Sequence, residues 1–520
     1  MKTRKILLST LLISLYSISK LWAQHPYSLD FNPNAYTMQT LELNGQKFKV
    51  RAFEKIVYVQ NPVDTNYEVM NIYIPENYFH GETLNGYSSA TAPIFFPNQI
   101  GGYMPGKPAS TKNNGPMGGM PPLNGQVQNG AMPSGNGTMP QGAMPPMMGP
   151  PRPNTVLVAL SRGFIVASAG ARGRTSQDKN GRYTGKSPAA LVDLKAAIRY
   201  LKYNDKIMPG DANKIISNGT SAGGAMSALL GATGNNPDYL SYLEALGAAN
   251  TSDDIFAVSA YCPIINLENA DQAYEWQFNG VNSFVHWSPM QVSSGTTPSI
   301  LTDEQIALSK SLKDLFPSYV NSLELKDKKG KALSLDFNGN GSFKEWVKSF
   351  VMASAQKELD NGKDLSSLKW LKISKGKVKD LDFEEYVRYM QRQKTPPAFD
   401  ALDLSAPENQ EFGTETIDKQ HFTQFSTDNG KSKATKADDK LVKMLNPMSY
   451  IGNAKTKTAK HWRIRHGTKD KDTGLAIPVI LATYLENKGF DVNFALPWDK
   501  PHNGDYDLDE LFSWINLIAK

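Results

Sequence analysis

A single cysteine, Cys262, is all the chain has, so no disulfide can form within it. At 520 residues the chain can rely on its core instead, as one large domain with an insertion or as two domains. Cys262 lies in IFAVSAYCPI, an apolar run that favours a buried, inert thiol over a nucleophile. Excess charge is nearly as scarce: 56 Lys and Arg stand against 50 Asp and Glu, a formal charge of +6. No apolar run reaches the roughly 20 residues of a membrane span.

The longest apolar run opens the chain. In MKTRKILLSTLLISLYSISKLWAQ, Lys2, Arg4 and Lys5 precede roughly a dozen mostly apolar residues and Ala23 offers a cleavage point, the pattern of a secretory signal peptide over residues 1–23. The mature protein is therefore expected to be exported, to the periplasm or beyond. Losing the leader removes four basic groups and no acid, leaving a formal charge of about +2, which gives nucleic acid no electrostatic case.

Residues 24–270 read as the first part of an α/β domain. Residues 47–60 and 67–79 alternate apolar and polar side chains, as antiparallel strands do. A short apolar strand, TAPIFFPNQIGGYMPG, ends in a double glycine. Residues 105–153 are rich in Pro, Gly, Met and Asn without a period, a composition that cannot bury enough to order itself and is expected to form a disordered insertion. Its methionines offer soft ligands of the kind copper(I) takes, a weaker reading than a plain linker. Apolar strands at GFIVASAG, KIISN and DIFAVSAYCPI then alternate with helical patterns at 187–204 and 225–233. This alternation predicts a mostly parallel central sheet covered by helices. From 271 to 446 it gives way to charged, aromatic, mainly helical sequence, expected to be a large lid inserted between strands. Residues 447–520 complete the domain with HWRIRHG, AIPVILATYLENKG and DVNFALPW.

Gly219-Thr220-Ser221-Ala222-Gly223 matches the G-x-S-x-G elbow, a pattern that chance alone supplies about 0.2 times in such a chain. Its context is more specific, because a strand precedes it and a helix follows. A nucleophilic serine on such a turn needs an acid and then a histidine later in the chain. Of the seven histidines, His25 and His80 precede Ser221, His286 and His421 fall in the expected lid, and His461 and His466 belong to the strand HWRIRHG. His502, just beyond the last strand, is the candidate base. The acid is expected after the preceding strand, where HGTKDKDTG offers Asp470 or Asp472, the latter also a possible helix cap. The oxyanion hole is expected from the N–H groups of Ala222 and of Gly102 in the Gly101-Gly102 loop.

GTSAGGAMSALLGATG, NQIGGYMPG, KHWRIRHGTKDKDTGLAIPVILA and LPWDKPHNGDYDLDELF together resemble bacterial tannases, the subtype B tannin acyl hydrolases of the α/β-hydrolase superfamily. The resemblance runs from about residue 45 to the end, the Met/Pro/Gly-rich stretch excepted. It implies an α/β-hydrolase fold with a lid, and hydrolysis of galloyl esters through a galloyl-enzyme, with Ser221, Asp470 and His502 as triad and no cofactor or metal. It also implies three side chains gripping the galloyl hydroxyls: Lys394 and Glu408 from the lid, and Asp472. Three vicinal phenol groups both donate and accept, so carboxylates and an ammonium suit them chemically. The implied partner is a small aromatic ester.

Rival readings rest on parts of the same set. A feruloyl or other aromatic carboxylesterase shares the elbow and the leader without needing three polar grips. A peptidase of the same superfamily usually carries a propeller, and no blade repeat is visible. A non-catalytic polyphenol-binding protein would retain the fold without a reactive serine. LDFNGNGSFKEW places Asp336, Asn338 and Asn340 at calcium-loop spacing, but position twelve is Val347, so a turn leading into a helix is the better reading.

Overall fold

The computed structural model describes residues 27–112, 154–285, 298–430 and 433–520. The expected leader, residues 113–153 of the Pro/Gly/Met-rich stretch, His25 and His286 lie outside the described residues.

The alternating N-terminal segments form antiparallel strands. β1 (Thr37–Leu43) pairs with β2 (Gln46–Val57), and β2 pairs with β3 (Val69–Pro75). The apolar strands that follow, β4 (Pro93–Pro97), β5 (Ile165–Ala169) and β7 (Ala257–Tyr261), are buried at every position, which is why they read as continuous runs. β6 (Asp211–Thr220) delivers the chain to Ser221. Among and after these strands come α1 (Thr155–Ser161), α2 (Ala189–Tyr203), α3 (Ala222–Ala232), α4 (Leu240–Ala245) and α5 (Leu267–Phe278).

The insertion is mainly helical and holds two small ladders that its charged sequence did not announce. Short β8 (Ser283–Phe284) pairs with β9 (Ser299–Ile300), and β10 (Leu371–Ser374) with β11 (Lys377–Leu381). Its helices are α6 (Asp303–Ser322), α7 (Ser342–Asp360), α8 (Phe383–Met390), α9 (Pro407–Glu411), α10 (Gln424–Asn429) and α11 (Asp439–Met444). A capping box starts α6: Thr302 Oγ1 accepts the Gln305 N–H and Gln305 Oε1 accepts the Thr302 N–H. Trp276 of α5 centres the insertion's own core, with Phe316, Phe343 and Phe383 at 5.3, 6.0 and 5.4 Å between rings. In the calcium-like loop, Asp336 Oδ1 accepts the N–H groups of Asn338 and Asn340, both at 2.9 Å, which makes a turn leading into α7.

The chain then returns to the sheet with β12 (His461–Arg465), α12 (Ala476–Asn487), β13 (Asp491–Ala495) and α13 (Leu508–Ala519). The nine-stranded sheet runs β1-β2-β3-β5-β4-β6-β7-β12-β13, antiparallel at the N-terminal edge and parallel from β5 onward. Such a sheet presents ligand sites beyond the carboxyl ends of its parallel strands. Residues 105–112 keep to the sheet's surface: Gly106 and Ala171 exchange backbone bonds, and Ser168 Oγ accepts the Ala109 N–H at 2.9 Å. Among the described residues no helix is long and apolar enough to cross a membrane.

Candidate active site

Ser221 joins β6 to α3 with φ 62° and ψ −124°, a strained conformation for a residue with a side chain. The surroundings hold it there. The Ser221 N–H donates to Tyr261 O, at the end of β7, at 3.0 Å, and its carbonyl accepts from Ile264 N–H, in the chain that follows, at 3.2 Å. The flanking glycines are required by contact: a Cβ on Gly219 would lie 2.2 Å from the Gly223 carbonyl oxygen, and one on Gly223 would lie 2.6 Å from Asn98 Oδ1. Ala222 is the first residue of α3, so its N–H has no partner within the helix. Gly102, beyond β4, adopts φ 54° and nothing within 4 Å would meet its Cβ, so its backbone borders open space.

The loops after β12 and β13 bring the other two groups to the serine. His502 Nε2 lies 2.8 Å from Ser221 Oγ, and His502 Nδ1 lies 2.8 Å from Asp470 Oδ2. With Nδ1–H on the carboxylate, Nε2 is left to accept the serine proton. Asp470 is fully buried; its Oδ1 accepts the Asp472 N–H at 3.0 Å. Burial favours the neutral acid, but His502, His466 and these hydrogen bonds outweigh it and hold Asp470 at about 2. Burial also opposes charge on His502, yet Asp470, Cys262 and Asp472 together raise its pKa well above the usual value.

A second cluster faces the triad. Lys394 Nζ lies 3.3 Å from Asp472 Oδ1 and 4.1 Å from the centre of the Phe399 ring. Asp472 Oδ2 in turn lies 3.8 Å from His502 Nε2, so the cluster and the triad adjoin. Glu408, buried in α9, is pushed up by burial and by Asp472, while Lys394 and Arg174 oppose the shift. The structure thus brings Ser221, His502, Asp470, Asp472 and Lys394 together, with Glu408 in electrostatic reach of Lys394 and Asp472, and separates the two aspartates: Asp470 meets His502 Nδ1, and Asp472 meets Lys394.

Several neighbours carried no sequence signal of their own. Tyr274 Oη accepts the N–H groups of Gln393 and Lys394 at 3.2 and 3.1 Å and donates to Lys471 O at 3.1 Å, tying the Lys394 segment to the Asp470 loop. Arg392 donates Nε–H to Lys394 O at 2.7 Å and forms a fully buried ion pair with Glu275. His466 follows β12 in full burial, with Nδ1 3.5 Å from Asp470 Oδ2, and burial lowers its pKa. Cys262 is buried and donates its thiol to Asn503 O at 3.3 Å. Burial pushes that thiol up, in keeping with an inert side chain. Ligand atoms of Cys262, Asp470 and His502 lie within 4.8 Å of one another. The hydrogen bonds of Asp470 to His502 and of His502 to Ser221 already occupy the groups a metal would need.

Comparison with known proteins locates this arrangement. A family model described as BD-FAE matches residues 150–291. No curated protein matches. Among solved structures, a tannase from Fusobacterium nucleatum is similar at 48% identity over 95% of this chain and 100% of its own, with a TM-score of 0.85. A tannin acyl hydrolase from Lactobacillus plantarum is similar at 44% identity over 95% of this chain and 99% of its own, with a TM-score of 0.84. A tannin acyl hydrolase in complex with ethyl gallate is similar at 44% identity, over 95% of this chain and 99% of its own, with a TM-score of 0.84.

Proposed function

Because the chain belongs to the tannase family of α/β-hydrolases, we propose that it hydrolyses galloyl esters to gallic acid and an alcohol through a galloyl-enzyme on Ser221. The observation that carries this reading is the adjacency of two sets of groups: a Ser221–His502–Asp470 relay with both links at 2.8 Å, and beside it Lys394 on Asp472.

In the proposed cycle His502 Nε2 takes the Ser221 proton as Oγ attacks the galloyl carbonyl. Asp470 holds the imidazole and stabilises the imidazolium that forms. The N–H groups of Ala222 and Gly102 receive the oxyanion. The imidazolium gives its proton to the departing alcohol, and water activated by His502 then releases gallate. Asp472 and Glu408 accept hydrogen bonds from ring hydroxyls, and Lys394 donates one. Polar groups built for three hydroxyls, Glu408 buried and Lys394 and Asp472 partly so, disfavour an acid ring lacking those hydroxyls, since they would be left unpaired. The insertion acts as a lid in contributing Lys394 and Glu408. The leader assigns the reaction to the periplasm or the exterior.

The test compares methyl gallate with methyl ferulate on the purified protein. Gallate is expected to be preferred by at least about 10²-fold. Ser221→Ala should cut kcat by about 10⁴-fold or more, and Lys394→Ala should reduce the gallate preference. Ferulate turned over faster than gallate would overturn the substrate reading; turnover surviving in the Ser221 variant would overturn the mechanism.

A further inference from the structure

Arg174 stands between the two halves of the proposed site. Its backbone and side chain both hold the glycine loop after β4: the Arg174 N–H donates to Tyr103 O at 2.8 Å, and Nε–H donates to Gly102 O at 2.8 Å. The segment is laid flush against that loop. A Cβ on Gly173 would fall 2.4 Å from the Met104 carbonyl carbon and 2.5 Å from Tyr103 O, and Ala171 exchanges backbone hydrogen bonds with Gly106.

The far end of the same guanidinium reaches the insertion. Arg174 Nη1 donates to Gln410 Oε1, two residues beyond Glu408 on α9. The orientation of that amide is fixed from its other side, since Gln410 Nε2 donates to Asp418 Oδ1 at 2.8 Å. Lys186 Nζ binds Gln410 O, Asp418 O and Asp418 Oδ1 at 2.8 to 2.9 Å, so α9 is braced where Arg174 meets it. A planar guanidinium can make both contacts at once from a single rigid fork; a lysine ammonium cannot reproduce that geometry.

We propose that Arg174 is a positioning residue that fixes the oxyanion loop by bracing it against the helix bearing Glu408, so that this side chain sets the aim of the hole for the developing negative charge while Lys186 holds the helix itself. This rests on the oxyanion role proposed above for Gly102. With the Gly102 and Tyr103 carbonyls both held by Arg174, two successive peptide planes are fixed, which limits how far the Gly102 N–H, one Cα before them, can turn. Electrostatic stabilisation of a tetrahedral intermediate depends on such aim to a few tenths of an ångström.

The experiment measures kcat and KM of Arg174→Met, Arg174→Lys, Gln410→Met and the Arg174→Met/Gln410→Met double variant on methyl gallate and on p-nitrophenyl acetate. Inhibition by phenylboronic acid, which forms a tetrahedral anionic adduct, and affinity for gallate complete the set. Arg174→Met should lower kcat on both esters by about 10- to 100-fold, less than deleting an oxyanion donor outright. Phenylboronic acid should weaken by a similar factor while gallate affinity stays within about threefold. Gln410→Met should lose less in the same direction, and the double variant should match Arg174→Met alone. Parental kcat in Arg174→Lys would overturn the proposal, because charge alone would then suffice; so would a loss confined to KM. If Arg174→Met does not fold, the Arg174→Lys and Gln410→Met measurements decide. A parent enzyme that cleaves p-nitrophenyl acetate but not methyl gallate would sink the galloyl reading and leave the oxyanion test standing.

Discussion

Two carboxylates converge on His502, although one suffices to orient it. Asp470 accepts the Nδ1–H hydrogen bond, and Asp472 stands 3.8 Å from Nε2 while also engaging Lys394. Burial opposes charge on the imidazole, but these acids and Cys262 lift its pKa well above the ordinary value. The base works in its neutral form, so kcat/KM should fall as pH drops through that raised pKa, placing the acid limb above the range of an unperturbed histidine. Asp472→Asn removes one raising charge, so the limb should move to lower pH. p-Nitrophenyl acetate is the substrate for this measurement because it lacks the hydroxyls proposed for Asp472. An unmoved limb would show that Asp472 does not act on the base. The triad is legible in the sequence because nucleophile chemistry and chain order leave few choices. The sequence favours Asp470, in an H-G-x-x-D loop, over Asp472 as the acid, but both are carboxylates two positions apart in one loop, and the resemblance is what gives Asp472 its separate role. Arg174 and Tyr274 are not legible at all: their partners lie 72 positions away at Gly102 and 197 away at Lys471.

The elements that hold Asp470 and His502 together are two loops laced by backbone. Thr468 N–H donates to Pro497 O and Lys469 N–H to Lys500 O, both at 3.0 Å, and Thr468 Oγ1 accepts the Asp499 N–H at 2.7 Å. Gly467 makes this closeness possible, because a Cβ there would lie 1.9 Å from the Lys500 carbonyl oxygen. That neighbour is backbone and cannot rotate aside. Gly467→Ala should therefore spread the loops and draw His502 off Asp470, lowering kcat by about 10²-fold, as an ångström-scale misplacement does. It should also cost about 1–3 kcal/mol of stability as overpacking. Steady-state kinetics and the thermal midpoint check it; parental kcat in a folded variant would mean the loops have slack. Strands such as β5 and β7 are legible because full burial leaves uninterrupted apolar runs. The β10–β11 hairpin is not, since five of the eleven residues of LKISKGKVKDL are charged and its apolar alternation is short. Its turn signal was nonetheless present: Lys375 and Gly376 both adopt positive φ, at 50° and 69°, as a tight hairpin turn requires.

For the whole molecule, alternating strands and helices announce the sheet, whereas the seat of the insertion depends on contacts that no periodicity encodes. The fully buried Glu275–Arg392 pair joins α5 to the Lys394 segment, and neither residue stands out in the sequence. The Pro/Gly/Met-rich stretch poses the opposite problem, since its composition is conspicuous while the contacts on either side of it show only where the chain leaves and rejoins the domain. Asn154 Nδ2 donates to Ser110 O at 3.0 Å and to Lys112 O at 3.3 Å, while its Oδ1 caps α1 by accepting the Val156 N–H at 2.9 Å. Thr111 Oγ1 donates to Gln39 Oε1 at 2.8 Å, so the chain before the stretch is tied to β1. Both ends are thus anchored at one point of the domain, and a four-residue linker is long enough to join them. Replacing residues 113–153 by Gly-Ser-Gly-Ser should leave the fold intact. Shortening a closed loop about tenfold reduces its closure cost by about 2 kcal/mol, so the thermal midpoint should hold or rise. Neither anchor carries a proposed catalytic or gripping residue, so kcat/KM on methyl gallate should stay within about twofold. A rise of tenfold or more in KM for methyl gallate, with p-nitrophenyl acetate unaffected, would instead make the stretch part of the substrate site, reaching it across the short span from Lys112 back to Gly102.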